Sequence, residues 1–172
     1  VFNRTHYENV LVTRVHPEYI LFENLPGIEK VEDIKPQFWE NRMEQMVNFE
    51  KHISQTGTKI LKFYFHMSKD EQRERLLKRL ENPEDNWKFS TGDLKERERW
   101  DDYMKYYEEA INKTSTDFAP WYIVPADDKG VARYIVAKII WEELEKLTDI
   151  AEPELDPKVK ANIEEYRTQL KK

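Results

Sequence analysis

The sequence predicts an α/β fold in which two parallel strands are joined by an oversized helical crossover, and three observations carry that prediction. Residues 60–67, ILKFYFHM, are nearly continuous in apolar character, as a strand covered on both faces should be. Ser68 follows at once, three residues before Glu71, a capping-box spacing that starts a helix where the strand ends. A second apolar run, Trp121-Tyr122-Ile123-Val124, returns more than fifty residues later. A parallel crossover needs only about a dozen. The surplus is read as extra helices forming a lid over the C-terminal edge of the sheet.

Taken in order, Val1-Phe2-Asn3-Arg4 looks like the end of a strand, followed by a short helical turn around Tyr7-Glu8-Asn9-Val10-Leu11. Pro17, Pro26 and Gly27 make 17–33 loop-like. From Pro36 to about Gln55, Phe38, Trp39, Met43, Met46, Val47, Phe49 and Ile53 recur at helical spacing, and Gly57 closes the element. The helix after Ser68 runs to about Glu81 and stops at Asn82-Pro83. A second lid helix is expected from Ser90 to about Asn112, with Leu94, Trp100, Met104, Tyr107 and Ile111 along one side. After the 121–124 strand, Asp127 or Asp128 can cap a long helix bearing Val131, Ile135, Ile139 and Leu144. Residues 1–149 thus read as one unit with a lid module at about 68–112, and 150–172 as a polar tail ending in an exposed helix.

Composition narrows the function. The chain of 172 residues is 36% charged and carries a net charge of -6, which fits a soluble protein and argues against nucleic acid as a partner. A local basic cluster in a closed cleft can still hold phosphates. With no cysteine, disulfides, thiolate zinc sites and thiol nucleophiles are excluded within the chain. No apolar run approaches membrane-spanning length and no signal peptide is visible, so a cytoplasmic protein without a membrane partner is expected. The glycines, Gly27, Gly57, Gly92 and Gly130, are too scattered to make a phosphate loop, and the opening at Val1 reads as the C-terminal portion of a longer protein.

The lid sequence carries the chemistry. Arg75 and Arg79 lie four apart and share a helix face. They are either guanidinium forks for phosphate oxygens or a solvated face paired with Glu71 or Glu74. Lys88 follows Trp87 in a connector, where the Trp can anchor a Lys reaching for a ligand or simply sit in the core. Arg97 shares a face with Asp93, Trp100 and Met104, so it pairs with Asp93 or faces the cleft. Between residues 72 and 99, eight basic residues meet seven acidic ones, which leaves phosphate binding open on charge alone. Asn3-Arg4-Thr5-His6 falls where a parallel strand delivers its C-terminal end, the ligand edge of open α/β sheets. There Asn3 can orient a metal-bound water and Arg4 can hold a phosphate. His6, His16, His52 and His66 lack metal-ligand spacing.

Three tracts, VFNRTHYENVLVTRVH at 1–16, FHMSKDEQRERLLKRLENPEDNWKFSTGDLKERERWDDY at 65–103 and APWYIVPADDKGVAR at 119–133, closely resemble the polyphosphate kinase 2 family over about residues 1–142. The resemblance implies a P-loop kinase-like, three-layer α/β/α sandwich with a mostly parallel sheet and a helical lid. It also implies transfer of a phosphoryl group between inorganic polyphosphate and an adenine or guanine nucleotide, with Mg2+ as cofactor, in a homo-oligomer (dimer or tetramer). On that basis Val1–Arg4 ends the Walker B strand, the Walker A loop precedes it and is absent here, and the 172 residues alone are expected to be inactive. Arg4, Arg79, Lys88 and Arg97 become catalytic positions, with Arg75, Thr5, Tyr7 and Glu8 as substrate contacts and Asn3 as the metal position. Many members have Asp where this chain has Asn3. One branch is similar to it in carrying Asn there and Glu at the place of Glu8, and tends to accept both nucleoside mono- and diphosphates. Two other readings are an ATP-dependent nucleoside monophosphate kinase of related fold and a non-catalytic polyphosphate-binding module.

Overall fold

The computed structural model describes residues 5–148 and 150–171. The expected strand end, with Asn3 and Arg4, lies outside the described residues. The chain forms two compact units, Val1–Val136 and Ala137–Lys172.

In the first unit the expected helical turn is a full helix, α1 (Glu8–Val15). It extends because Val10, Leu11 and Val15 each find a buried position, more than a single turn could present. The stretch read as loop holds two 3₁₀ segments, Pro17–Glu23 and Val31–Asp33. Fully buried Ile20 pins the first, and Asn24 ends it in the left-handed conformation (φ 51°). Helix α2 (Pro36–Gln55) starts on Pro36 and ends ahead of Gly57, whose φ of +93° suits glycine. Strands β1 (Lys62–His66) and β2 (Trp121–Pro125) pair in parallel, Lys62 opposite Trp121 through His66 opposite Pro125. The sequence-based reading of an α/β fold with a small parallel sheet among many helices therefore holds.

The crossover holds α3 (Lys69–Glu81), a 3₁₀ turn (Asn86–Lys88), α4 (Thr91–Glu98) and α5 (Trp100–Thr114). The single helix expected from Ser90 to Asn112 is thus two helices, stepped at Arg99. The Arg99 guanidinium bonds Asp102 at 2.8 Å and the Val15 carbonyl at 3.1 Å. This fixes the step against the end of α1, so α5 packs on α1 and α2. Helix α6 (Lys129–Glu145) runs from the first unit into the second. The second unit also contains α7 (Pro157–Ala161), capped by Asp156 on the Lys158 N–H at 2.7 Å, and α8 (Ile163–Leu170). No helix among the described residues is long and apolar enough to cross a membrane.

The core of the first unit gathers Tyr7, Val10, Leu11, Met43, Met46 and Ala110. At its centre sit two charges. Lys62, 7% exposed, donates to Glu50 Oε2 at 2.7 Å, to the Thr114 carbonyl at 2.8 Å and to the Tyr7 hydroxyl at 2.9 Å. Glu50, 2% exposed, accepts the Tyr7 hydroxyl on its other oxygen at 2.9 Å. The Trp121 indole donates to Thr114 Oγ1 at 2.9 Å, which ties β2 to the same knot. Burial pushes the Glu50 carboxyl up, but hydrogen bonds from His6, Lys62 and Tyr7 outweigh it and leave it below the usual carboxylate range. Burial, with the Glu50 charge, drives the Tyr7 phenol up.

Removing one partner strands a buried charge, so Lys62→Met should destabilise the fold by about 3–5 kcal/mol in denaturant titration. Adding Glu50→Leu should recover most of that loss. Glu50 has a lowered folded-state value, so its contribution is present above the unfolded carboxylate range and lost as pH falls through the folded value. The parent should lose more stability than the double variant on acidification.

Candidate active site

Open α/β sheets collect ligand-binding groups at the C-terminal ends of their strands. Here that edge is built by a short set of hydrogen bonds between β1, α3 and the β2–α6 loop. Ser68 Oγ accepts from the Glu71 N–H at 3.1 Å, the expected N-cap. The reciprocal arm of a capping box is replaced: the Glu71 carboxylate accepts from Arg75 at 2.6 Å, and the Ser68 N–H donates to Asp127 at 2.7 Å. Asp128 accepts from the Val131 N–H at 2.9 Å and caps α6. Both aspartates are therefore used, one for each loop. The Ser68 N–H holds the Asp127 carboxyl below its ordinary range. An open cavity of about 380 Å3 lies among His66, Ser68, Asp127, Asp128 and Val131.

From this edge α3 and α4 rise as an antiparallel hairpin, shown by their cross-links: Arg97 reaches Gln72 at 2.8 Å and the Lys69 carbonyl at 2.6 Å, while Arg79 faces Asp93 at 3.7 Å. Asn86 closes the tip by donating to the carbonyls of Arg79 at 2.7 Å and Leu80 at 2.9 Å, groups the end of α3 leaves unpaired. The base of the hairpin is held to the rest of the unit through Glu96. Its carboxylate accepts from the Tyr103 hydroxyl at 2.6 Å and meets His16 Nε2 at 2.9 Å, and these hydrogen bonds keep it below the usual range. A second open cleft of about 330 Å3 runs beside Glu96 between Tyr64, Gln72, Trp100 and Tyr103.

The polyphosphate kinase 2 family model matches residues 21–152. The chain belongs to the polyphosphate kinase 2 family. It is 46% identical, over its whole length and 58% of the relative's, to the ADP-polyphosphate phosphotransferase of Rhodopseudomonas palustris. It is also 46% identical to the AMP/ADP-polyphosphate phosphotransferase of Meiothermus ruber, over 86% of this chain and 49% of that one. The crystal structure of polyphosphate kinase 2 from Arthrobacter aurescens superposes with a TM-score of 0.79 at 37% identity, covering 95% of this chain and 53% of the other. The chain thus spans about half the length of the relatives it matches.

For a polyphosphate kinase 2 chain, the expected site residues are placed unevenly. Arg75, Arg79, Lys88 and Arg97 all stand on the one hairpin, in different employment. Arg75 pairs with Glu71, the ion pair its spacing allowed, and also donates to the carbonyls of Ala126 at 2.7 Å and Asp127 at 3.1 Å. It straps the lid base to the β2–α6 loop. Arg97 latches α4 to α3, and Asp93, the partner in one of its two readings, faces Arg79. Lys88 pairs with Asp85 at 2.5 Å and lies over the Trp87 ring at 5.3 Å. Trp87 is 79% exposed, so it is neither core nor a fixed anchor.

Tyr7, expected to touch substrate, is 3% exposed, and its hydroxyl donates to Glu50 and accepts from Lys62. Thr5 is exposed and accepts the Tyr7 N–H at 3.3 Å. Glu8 begins α1, where its charge adds to burial in pushing the Tyr107 phenol up. Asn3 and Arg4 lie outside the described residues. Among those described, no group of three or more His, Asp or Glu side chains is arranged to hold a metal ion. Sequence reasoning missed the His16–Glu96–Tyr103 tie, because a contact across eighty positions leaves no local periodicity.

Arg75→Ala should release the β2–α6 loop from the lid base and lower stability by about 1.5–3 kcal/mol, the range for hydrogen bonds made by a charged group. Arg73→Ala, whose partners Asp70 and Glu74 are both on the same exposed helix face, should change it by less than about 0.5 kcal/mol in the same thermal titration.

Proposed function

We propose that the protein carrying this chain transfers a phosphoryl group between inorganic polyphosphate and a nucleoside mono- or diphosphate of adenine or guanine. The observation that supports it best is the hairpin: four cationic positions matching the family's lid stand on one helical hairpin, three on its helices and Lys88 in the turn between them, rising from the ligand edge of a parallel sheet. The proposed overall frame is the P-loop kinase-like three-layer sandwich, with the Walker A loop supplied from outside these 172 residues. The terminal phosphoryl of polyphosphate moves in line to a terminal phosphate oxygen of the nucleotide. One P–O bond to the chain breaks as one to the nucleotide forms. Little covalent chemistry is asked of the protein, so rate comes from positioning and charge neutralisation.

Within that reaction the four lid cations divide. Arg79 and Lys88, near the hairpin tip and held by exposed carboxylates, are free to move onto phosphate oxygens. Arg75 and Arg97, which donate to backbone carbonyls, hold the lid in the shape that presents the other two. Arg4 adds a phosphate contact and Glu8 bears on the choice of nucleotide. Mg2+ belongs to the proposal through Asn3. The described residues contain no cluster that fits the ion by itself, and no step is assigned to it. A homo-oligomer is part of the same reading.

The test is an assay of the longer protein with polyphosphate, Mg2+ and either AMP or ADP. Arg79→Ala and Lys88→Ala should each lower kcat by roughly 10²-fold, as loss of a charge-stabilising donor does elsewhere. Effects below about threefold at both would reduce them to surface charges. Equal or faster turnover with ATP as donor would point to a nucleoside monophosphate kinase. Polyphosphate binding without transfer would point to a binding module. Turnover by the isolated 172 residues would overturn the expectation that this portion is inactive alone.

A further inference from the structure

Near the lid tip, the two cations assigned to phosphate are each already occupied by a carboxylate of the lid itself. Lys88 Nζ lies 2.5 Å from Asp85 Oδ1, and Arg79 Nη1 lies 3.7 Å from Asp93 Oδ2. Asn82 donates to the other Asp85 oxygen at 2.8 Å and so fixes that carboxylate toward the tip. The two pairs are not separate. Lys88 and Asn82 hold the Asp85 carboxyl below its ordinary range, and the Arg79 charge adds to them. Two cations and two anions thus form one cluster of zero net charge.

Exposure decides what such a cluster can do. The four side chains are between 35 and 46% exposed. Ion pairs that wet change equilibrium constants by only a few-fold and are easily exchanged. A polyphosphate segment presents several charged oxygens to the same cations at once and can displace them. Arg75 and Arg97 differ: each donates to a backbone carbonyl, which cannot be displaced without moving the chain.

We propose that Asp85 and Asp93 are built-in competitors for polyphosphate, holding Lys88 and Arg79 in place when the lid is empty and limiting how tightly the polyanion is gripped. The inference rests on the function proposed above and adds two specificity-setting residues to it. Removing either charge without changing shape should leave its cation less strongly opposed, so the affinity for polyphosphate should rise.

The experiment compares binding of inorganic polyphosphate of defined length, without nucleotide, to the longer protein and to Asp85→Asn, Asp93→Asn and Asp70→Asn. Asp70 lies on the first turn of α3 with Arg73 as its partner, so its variant makes the same change in net charge away from the cluster. Asp85→Asn and Asp93→Asn should each bind roughly two- to fivefold more tightly, with Asp70→Asn within error of the parent. A damaged lid would weaken binding, so selective tightening cannot come from misfolding. Unchanged or weaker binding in both variants, or an equal gain in Asp70→Asn, overturns the proposal while the parent's binding keeps the functional reading intact. No binding by the parent or any variant overturns both.

Discussion

Burying the Lys62 ammonium beside the Glu50 carboxylate takes two charges out of water, and the first unit is organised around making that tolerable. A buried pair of this kind is weak evidence for stability, because desolvation consumes most of the Coulomb attraction. It succeeds only where the remaining donors and acceptors are also satisfied. Lys62 reaches Glu50, Tyr7 and the Thr114 carbonyl, and no buried side-chain nitrogen or oxygen among the described residues is left without a partner. The five segments that meet there are the residue before α1, α2, the first residue of β1, the end of α5 and, through Trp121, the first residue of β2. Because Lys62 and Trp121 are also opposite each other in the parallel ladder, the pair sets the N-terminal end of both strands together. Their C-terminal ends, four residues on, are then delivered in register to the edge where the lid begins.

The lid builds on that register with interactions of graded strength. Arg75 bonds two carbonyls of the β2–α6 loop, and Arg97 bonds the carbonyl of Lys69. Bonds between a charged donor and backbone are worth about 1.5–3 kcal/mol and keep one geometry. The Arg79 and Lys88 pairs are wet, so water and salt screen them and they contribute little. One short hairpin therefore carries both the bolts that fix its attitude and the charges that can change partners. Burial and acceptor type, rather than residue type, separate the two roles.

Much of this was legible in the sequence, and what was not has a physical reason. The apolar runs at 60–67 and 121–124 and the Ser68 cap are local signals, and the parallel strand pair and α3 follow from them. The break at Arg99 was invisible because 90–112 keeps helical periodicity throughout; a bond from Arg99 to Val15, far away in sequence, makes the step. The buried pair had a signal that apolar counting passes over. Glu50 falls on the stripe of Met43, Met46 and Val47, and Lys62 interrupts an otherwise apolar strand. Two opposite charges placed where hydrophobic residues belong point to each other. For the site, the family-like motif pointed to one hairpin, but the partners of its cations were not legible, since spacing does not say which acceptor a guanidinium will meet. Nor did the sequence show that the core takes up the Tyr7 hydroxyl.

The charge of the whole chain gives the neutrality of the Arg79, Lys88, Asp85 and Asp93 cluster its meaning. At a net charge of -6 the distant field repels a polyanion, and in physiological salt that field fades beyond about 8 Å. Attraction must come from contacts, within reach of a side chain. A lid bearing unopposed cations would meet that need but would also hold polyphosphate of any length in any register, because every phosphate along it is alike. A phosphotransferase acting on such a chain must let it advance by one unit after each transfer. Under the proposed function, weak internal pairs would meet both demands: each cation would always have a partner, so exchanging a carboxylate for a phosphate, or one phosphate for the next, would not pass through a bare charge.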